Sequence, residues 1–181
     1  MNKHILIVLF MYSMVGCSQE QSEKEEPELS CDNASNEMSV DNGILNVKLD
    51  LTRGGAIKYI SESGKTRNIV NVHDEGRYIQ QSYYAGKSLD RTSDGQHPNW
   101  SPWTWNPIQV GDVYRNRAEI LECSTSDNTL YTKCIPMQWD MNNKPAEATM
   151  EQWVTLSGNV IKVRNKLTCY RTDDIYGENT P

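Results

Sequence analysis

An all-β fold, an antiparallel β-sandwich, is what this 181-residue sequence predicts. Three observations carry that expectation. Apolar and polar residues alternate over residues 44–51, 148–156 and 159–170, the period of half-buried strands. Short polar turns separate these runs, as antiparallel neighbours require. No segment holds an amphipathic helix of three turns, so nothing supplies the crossover helices that parallel strands need.

Taken in order, the elements begin after the turn Asp41-Asn42-Gly43. Leu45, Val47, Leu49 and Leu51 share one face of a strand, and Asn46, Lys48 and Asp50 share the other. Arg53-Gly54-Gly55 turns the chain into a second strand over residues 56–60. A polar turn around Gly64 leads to a short third strand over residues 68–72. Residues 77–84 read as a fourth strand of high polar content. If it alternates, Arg77, Ile79, Gln81 and Tyr83 share one face, with Tyr78, Gln80, Ser82 and Tyr84 on the other. Residues 86–112 have hardly any periodicity and carry Pro98, Pro102 and Pro107; an unstructured run of that length is often functional. Residues 119–124 and 129–139 flank the turn Ser126-Asp127-Asn128, and Pro136 marks the second run as an edge strand or a bulge. Residues 148–156 and 159–170 form a hairpin at Ser157-Gly158. β-Branched residues and Trp153 favour a strand over a helix in its first arm. In the last strand Ile161, Val163, Asn165, Leu167 and Cys169 face inward. Lys162, Arg164, Lys166, Thr168 and Tyr170 face solvent or a polar ligand.

The first residues have a different character. Lys3 precedes an apolar run from Ile5 to Val15, closed by Gly16-Cys17. This is the layout of a secretory signal, and it is shorter than the roughly 20 residues a membrane-spanning helix needs. The segment Met14-Val15-Gly16-Cys17 resembles the lipobox of bacterial lipoproteins, although Met14 replaces the usual Leu. The resemblance implies a signal peptide over residues 1–16, cleavage before Cys17 and lipid on that cysteine, with the membrane lipid as partner. Glu20, Glu23, Glu25, Glu26 and Glu28 then outweigh Lys24. Such a stretch cannot bury apolar surface, and residues 17–38 are expected to be an acidic, disordered tether. Its position resembles the surface-export signals of Bacteroidota lipoproteins and implies the bacterial outer membrane, towards the cell surface. The sandwich domain is expected over residues 39–181. Its strand set does not close a two-sheet structure, so the expectation is the N-terminal part of a larger protein.

The formal charge is −6 and there is no basic patch, which argues against nucleic acid as a partner. Nine tyrosines and five tryptophans stand against one phenylalanine, itself in the leader. Tyr and Trp combine an apolar face with a polar tip, which suits polar, ring-shaped ligands and also exposed sheet surfaces. The cysteine spacing fits no zinc pattern, and no metal or cofactor is expected. Cys123 and Cys134 flank a hairpin turn and could face each other. Cys31 could be unpaired, and Cys169 acts as a small hydrophobe. Buried thiols fit as well as bridges, and no cysteine is expected to be catalytic.

Two clusters are candidates for binding. The first is His73-Asp74-Glu75-Gly76-Arg77 with Gln81 and Tyr83 after it. Carboxylates and the fixed fork of an arginine can hold sugar hydroxyls, and a histidine can move protons. The alternative is a charged turn closed by an Asp74–Arg77 link. The second cluster is residues 97–107, where Trp100, Trp103 and Trp105 lie among prolines. Pyranose rings stack their C–H faces on such rings; alternatively the loop folds back and plugs the sandwich. A third stretch holds Gln138-Trp139-Asp140, then Glu147, Glu151, Gln152 and Trp153. Asp140 and Glu151 would need a separation near 5–9 Å for glycoside hydrolysis, and no catalytic residue is assigned.

Gly54, Gly55, Ile57, Asp74, Gly76 and Arg77 fall in a pattern that resembles the opening of galactose mutarotase-like domains, large β-supersandwiches of aldose epimerases and polysaccharide-degrading enzymes. Residues 76–86 and 150–153 also resemble segments of a group of uncharacterised secreted Bacteroidota proteins. The likeness covers roughly residues 40–178. It implies an incomplete supersandwich that binds or helps process an oligo- or polysaccharide. His73 and His97 match no catalytic histidine pair of the mutarotases, and the stretch for their late glutamate is absent. Two other readings remain open: an epimerase or glycoside hydrolase or lyase whose catalytic part lies beyond this chain, and a structural cell-envelope protein without a ligand.

Overall fold

The computed structural model describes residues 35–84, 90–100 and 105–172. Nine strands follow one another: β1 (Glu37–Asp41), β2 (Leu45–Asp50), β3 (Ala56–Glu62), β4 (Pro107–Ile108), β5 (Glu119–Ser126), β6 (Thr129–Ile135), β7 (Met137–Gln138), β8 (Ala148–Ser157) and β9 (Val160–Cys169). They form a three-stranded sheet β1-β2-β3, a four-stranded sheet β5-β6-β8-β9 and the small pair β4-β7. Every pairing is antiparallel. The domain is all-β and sandwich-like, as its alternation requires.

The two larger sheets meet through their alternating apolar residues. Val40, Val47, Leu49, Ile57 and Ile60 from the first pack with Leu130, Val154 and Leu156 from the second. Burying such side chains contributes roughly 1.5–3 kcal/mol each. β1 begins at Glu37, inside the stretch expected to be tether, and its Met38 packs against this cluster.

Further along the interior the contacts become polar. The Gln152 amide of β8 donates to Gly55 O (3.1 Å), and the Gln109 amide donates to Gly54 O (2.8 Å). Gln109 Oε1 accepts from Gln81 N (2.8 Å), and Gln81 donates to Glu151 O (3.0 Å). These glutamines are buried, and each answers backbone that would otherwise lie unpaired. Gly54 and Gly55 have φ of 62° and 76°. A Cβ at Gly54 would lie 2.1 Å from Gln109 O, and one at Gly55 would lie 2.4 Å from Thr132 Oγ1. The Gly-Gly pair is where one sheet's turn presses on the other layer.

Several expected elements take another form. Residues 68–72 make no strand. Asn68 instead accepts from Ile60 N (3.0 Å) and donates to Lys58 O (2.9 Å), so its side-chain amide takes the place of a ladder along β3. Residues 77–84 make only isolated bridges, Ile57–Ile79 and Ser82–Ile108, because Gln80 and Gln81 bond remote backbone atoms. Pro136 does not mark an edge: β6 lies between β5 and β8, and the proline, lacking an N–H, separates β6 from β7. Cys123 and Cys134 do not bridge. A register shift near Ile120 sets Cys123 opposite Thr132 and Cys134 opposite Ile120. Cys134 is a free, buried thiol whose pKa burial pushes up to about 12, so it stays protonated. Cys123 is disulfide-bonded. Cys169 is free and packs beside Trp105 and Ala148.

β9 pairs with β8 at ten positions without a shift, and its other edge has no strand partner among the described residues. Its expected inward residues are only partly covered: Val163 is 43% exposed while its neighbour Val154 is fully buried. The opposite face carries the expected polar row. Arg164 lies 3.7 Å over the Trp153 ring, and Lys166 bridges Glu151 at 2.7 Å. Tyr131 contacts both Glu122 and Glu151, and burial together with these carboxylates raises its pKa.

Candidate functional site

The β4-β7 pair supports a groove at the side of the sandwich. Ser82 bridges to Ile108 of β4, and Ile108 pairs with Met137 of β7, so three short segments lie side by side. Just beyond these pairings, Trp139 N donates to Asn106 O (2.8 Å) and Trp139 O accepts from Val113 N (2.8 Å). The Trp139 ring is held against Ala56, Ile108 and Val110. Trp100, at the end of a 3-10 turn over Pro98–Trp100, meets it edge-on with centroids 5.9 Å apart.

Two adjoining hollows open here, each of about 500 Å³, and they share Asp74, Gly76 and Trp139. The first is also lined by Arg53, His73, Glu75, Asp112 and Arg115. The second is lined by Arg77, Gln80, Ser82, Tyr84, Trp100, Asn106 and Ile108. Asp74 shapes the shared wall, since its carboxylate accepts from Gly76 N (2.9 Å) and caps the turn Glu75–Arg77. Gln80 ties this turn to the next strand, donating to Gly76 O (3.0 Å) and accepting from Val110 N (3.1 Å). Asn106 is 2% exposed, and its Oδ1 has no hydrogen-bond partner. A buried acceptor without a partner is costly, by roughly 1–3 kcal/mol.

The groove brings together four of the expected binding residues: His73, Asp74, Arg77 and Trp100. Gln81, Tyr83 and Trp105 lie elsewhere. Gln81 is 2% exposed, and its amide is held by Glu151 O and the Tyr83 hydroxyl. Tyr83 packs beside Ala118, Cys134 and Met150. From Gln80 onward the side chains do alternate, but Gln80, Ser82 and Tyr84 are the ones at the groove. The inward phase is set by partners 28 and 70 residues away. Trp105 is wholly buried, with Glu147 at its indole nitrogen (3.4 Å) and Arg171 over its ring, so it is the plug and has no surface for a ligand. Trp103 and Cys17 lie outside the described residues.

The third stretch does not form one wall. Asp140 is buried, accepts a short hydrogen bond from the Gln96 amide, and through its carbonyl holds His97 N (2.8 Å). It anchors the loop that carries Trp100. Burial raises its pKa. Glu151 sits on the outer face of β8 in its bridge to Lys166, which lowers its pKa, and it shares no partner with Asp140. Gln152 lies between the sheets, and Trp153 lies beneath Arg164. The residues that sequence reasoning left out are Trp139, Asn106, Arg53 and Arg115. Trp139 and Asn106 stood within quoted stretches, but only the pairing of β4 with β7 brings them together; for Arg115 no local signal exists. Among the described residues no cluster of His, Cys, Asp and Glu is arranged to hold a metal ion.

Comparison with protein-family models, with curated proteins and with solved structures found no match.

Proposed function

We propose that this domain binds a glycan chain in the groove, and that it does so as part of a lipid-anchored protein of the bacterial cell envelope. The observation that carries the binding reading is Trp139, an aromatic ring shared by two hollows with hydrogen-bonding side chains on either side. A pyranose can lay its C–H face on such a ring while Gln80, Asp74 and Arg77 meet its hydroxyls. The anchor rests on residues 1–16, Cys17 and the acidic segment that follows, with display at the outer membrane surface. The likeness to galactose mutarotase-like domains agrees with an antiparallel all-β architecture in which Gly54-Gly55 occupies a position closed to larger residues.

The test is retention of the full chain in gels containing single polysaccharides, run beside Trp139→Ala and Trp100→Ala. A retained wild type and a loss of about tenfold in affinity for Trp139→Ala, roughly 1.4 kcal/mol, support the reading, provided that circular dichroism shows both proteins folded. Unchanged retention by a folded Trp139→Ala variant sinks it. The anchor is checked separately: Cys17→Ser should abolish fatty-acid labelling and release the protein from membranes.

A further inference from the structure

We infer that the first hollow is an acid subsite, which takes the carboxylate of a uronate unit while the sugar ring lies against Trp139. This rests on the reading of the groove as a glycan site and names the class of glycan.

The argument is an account of donors and acceptors. Every carboxylate in this hollow is already engaged. Asp112 accepts from Tyr114 N (2.9 Å), Asn116 N (2.8 Å), Asn116 Nδ2 (2.7 Å) and Asn143 N (2.8 Å). Glu75 accepts from Arg53 Nη2 at 2.6 Å. Asp74 accepts from Gly76 N, and its other oxygen faces Arg77 Nε at 3.4 Å. Beside these acids the hollow also presents donors. Arg53 is 8% exposed and lines the hollow, with its Nη2 held by Glu75. Arg115 makes no ion pair with any described residue, and the His73 ring makes no hydrogen bond with one.

By count of formal charges the hollow is not positive. Each of its acids is tied to at least one donor, so Arg115, which has no ion pair with a described residue, is the group a ligand's acceptors would meet. A ligand that brings acceptors completes it, and a carboxylate brings about four lone-pair sites matched to a guanidinium fork. The backbone supports the same assignment. Arg115 has φ of 71°, the left-handed region that a non-glycine residue occupies at a cost of order 1–3 kcal/mol. Asp112, 4% exposed, holds the whole turn through Asn116 and Asn143. The loop is therefore braced from beneath in a conformation that places a cation at the hollow. The shared Trp139 gives the ring its place, and the neighbouring hollow receives the substituent.

The experiment is calorimetric titration of the full chain at about 0.15 M salt, where charges beyond about 8 Å are screened. The ligands are trigalacturonate, its methyl ester, and a sulfated neutral galacto-oligosaccharide. The expected result is binding of the free acid at least tenfold tighter than the ester. Arg115→Gly, which suits the positive φ, should bring the acid's affinity to within about twofold of the ester's. Arg115→Lys should keep part of the preference. Equal binding of acid and ester overturns the acid subsite and leaves the glycan groove standing. Preference for the sulfated sugar over the acid also overturns it, by assigning the donors to a sulfate ester. If none of the three binds, and gel retention finds no other glycan, the groove reading fails and the subsite with it.

Discussion

The two large sheets are joined in two different ways. At one end the contact is apolar: Val47, Leu49 and Ile57 of the first sheet meet Leu130, Val154 and Leu156 of the second. At the other, Gln152, Gln109 and Gln81 reach across to the carbonyls of Gly55, Gly54 and Glu151. Strand β8 passes through both, with Val154 in one region and Gln152 in the other. Apolar contact holds surfaces together without specifying direction. The amide layer is directional, and it fixes the Gly54-Gly55 turn against Gln109. Arg53 precedes that turn, and Val110 follows Gln109; both line the first hollow. The polar region therefore registers the groove, while the apolar region holds the sandwich closed.

Four substitutions can break or sharpen this contrast. Gly55→Ala should have the largest effect, since a methyl group there meets Thr132 at 2.4 Å from a backbone at φ 76°. A loss above about 3 kcal/mol in urea unfolding is expected; a loss under about 1 kcal/mol would show that the two layers can part freely. Gln109→Ala comes next. It leaves Gly54 O and Gln81 N without partners, at about 1–3 kcal/mol each, and should weaken glycan retention as well. Leu49→Ala, at about 2–5 kcal/mol, should cost comparable stability and leave retention of the folded fraction intact. If the two variants behave alike in both measurements, the division of labour is wrong. Asp140→Asn should have the smallest effect, and one that depends on pH. The folded pKa of Asp140 is raised above the ordinary value of 3.8. Its contribution is therefore fully present below that value and is lost as pH rises through the folded pKa. Asn keeps an acceptor for Gln96 and does not titrate. Unfolding midpoints at pH 4 and pH 7 should show the wild type losing ground against Asp140→Asn, and a constant gap would count against a buried, raised carboxyl.

The same contrast explains what could be read from the residues alone. β2 and β8 are legible because each alternates over six or more residues against an apolar partner, and β9 because its sequence alternates along its pairing with β8. Residues 68–72 and 77–84 look like strands by composition, yet Asn68, Gln80 and Gln81 spend their amides on backbone atoms, which no periodicity records. At the site, His73, Asp74, Arg77 and Trp100 announce themselves as polar and aromatic clusters. The inward turn of Gln81 and the burial of Trp105 are decided by residues far along the chain. Trp139, Asn106 and Arg115 become neighbours only through the pairing of β4 with β7 and the brace of Asp112, both of which are tertiary facts.

β9 carries a consequence for how molecules of this protein meet one another. It is a ten-residue strand, regular throughout, with neither a proline nor a bulge along the edge that has no strand partner among the described residues. A chain that lines up against such an edge finds a ready template. What stands in the way is a row of like charges, Lys162, Arg164 and Lys166, at alternate positions along it. Two copies brought together antiparallel at this edge would set cation against cation, which is destabilising for directly opposed pairs. Salt shortens the reach of that repulsion. Resistance to lateral stacking is thus a colloidal property set by ionic strength, and it weakens as salt is added.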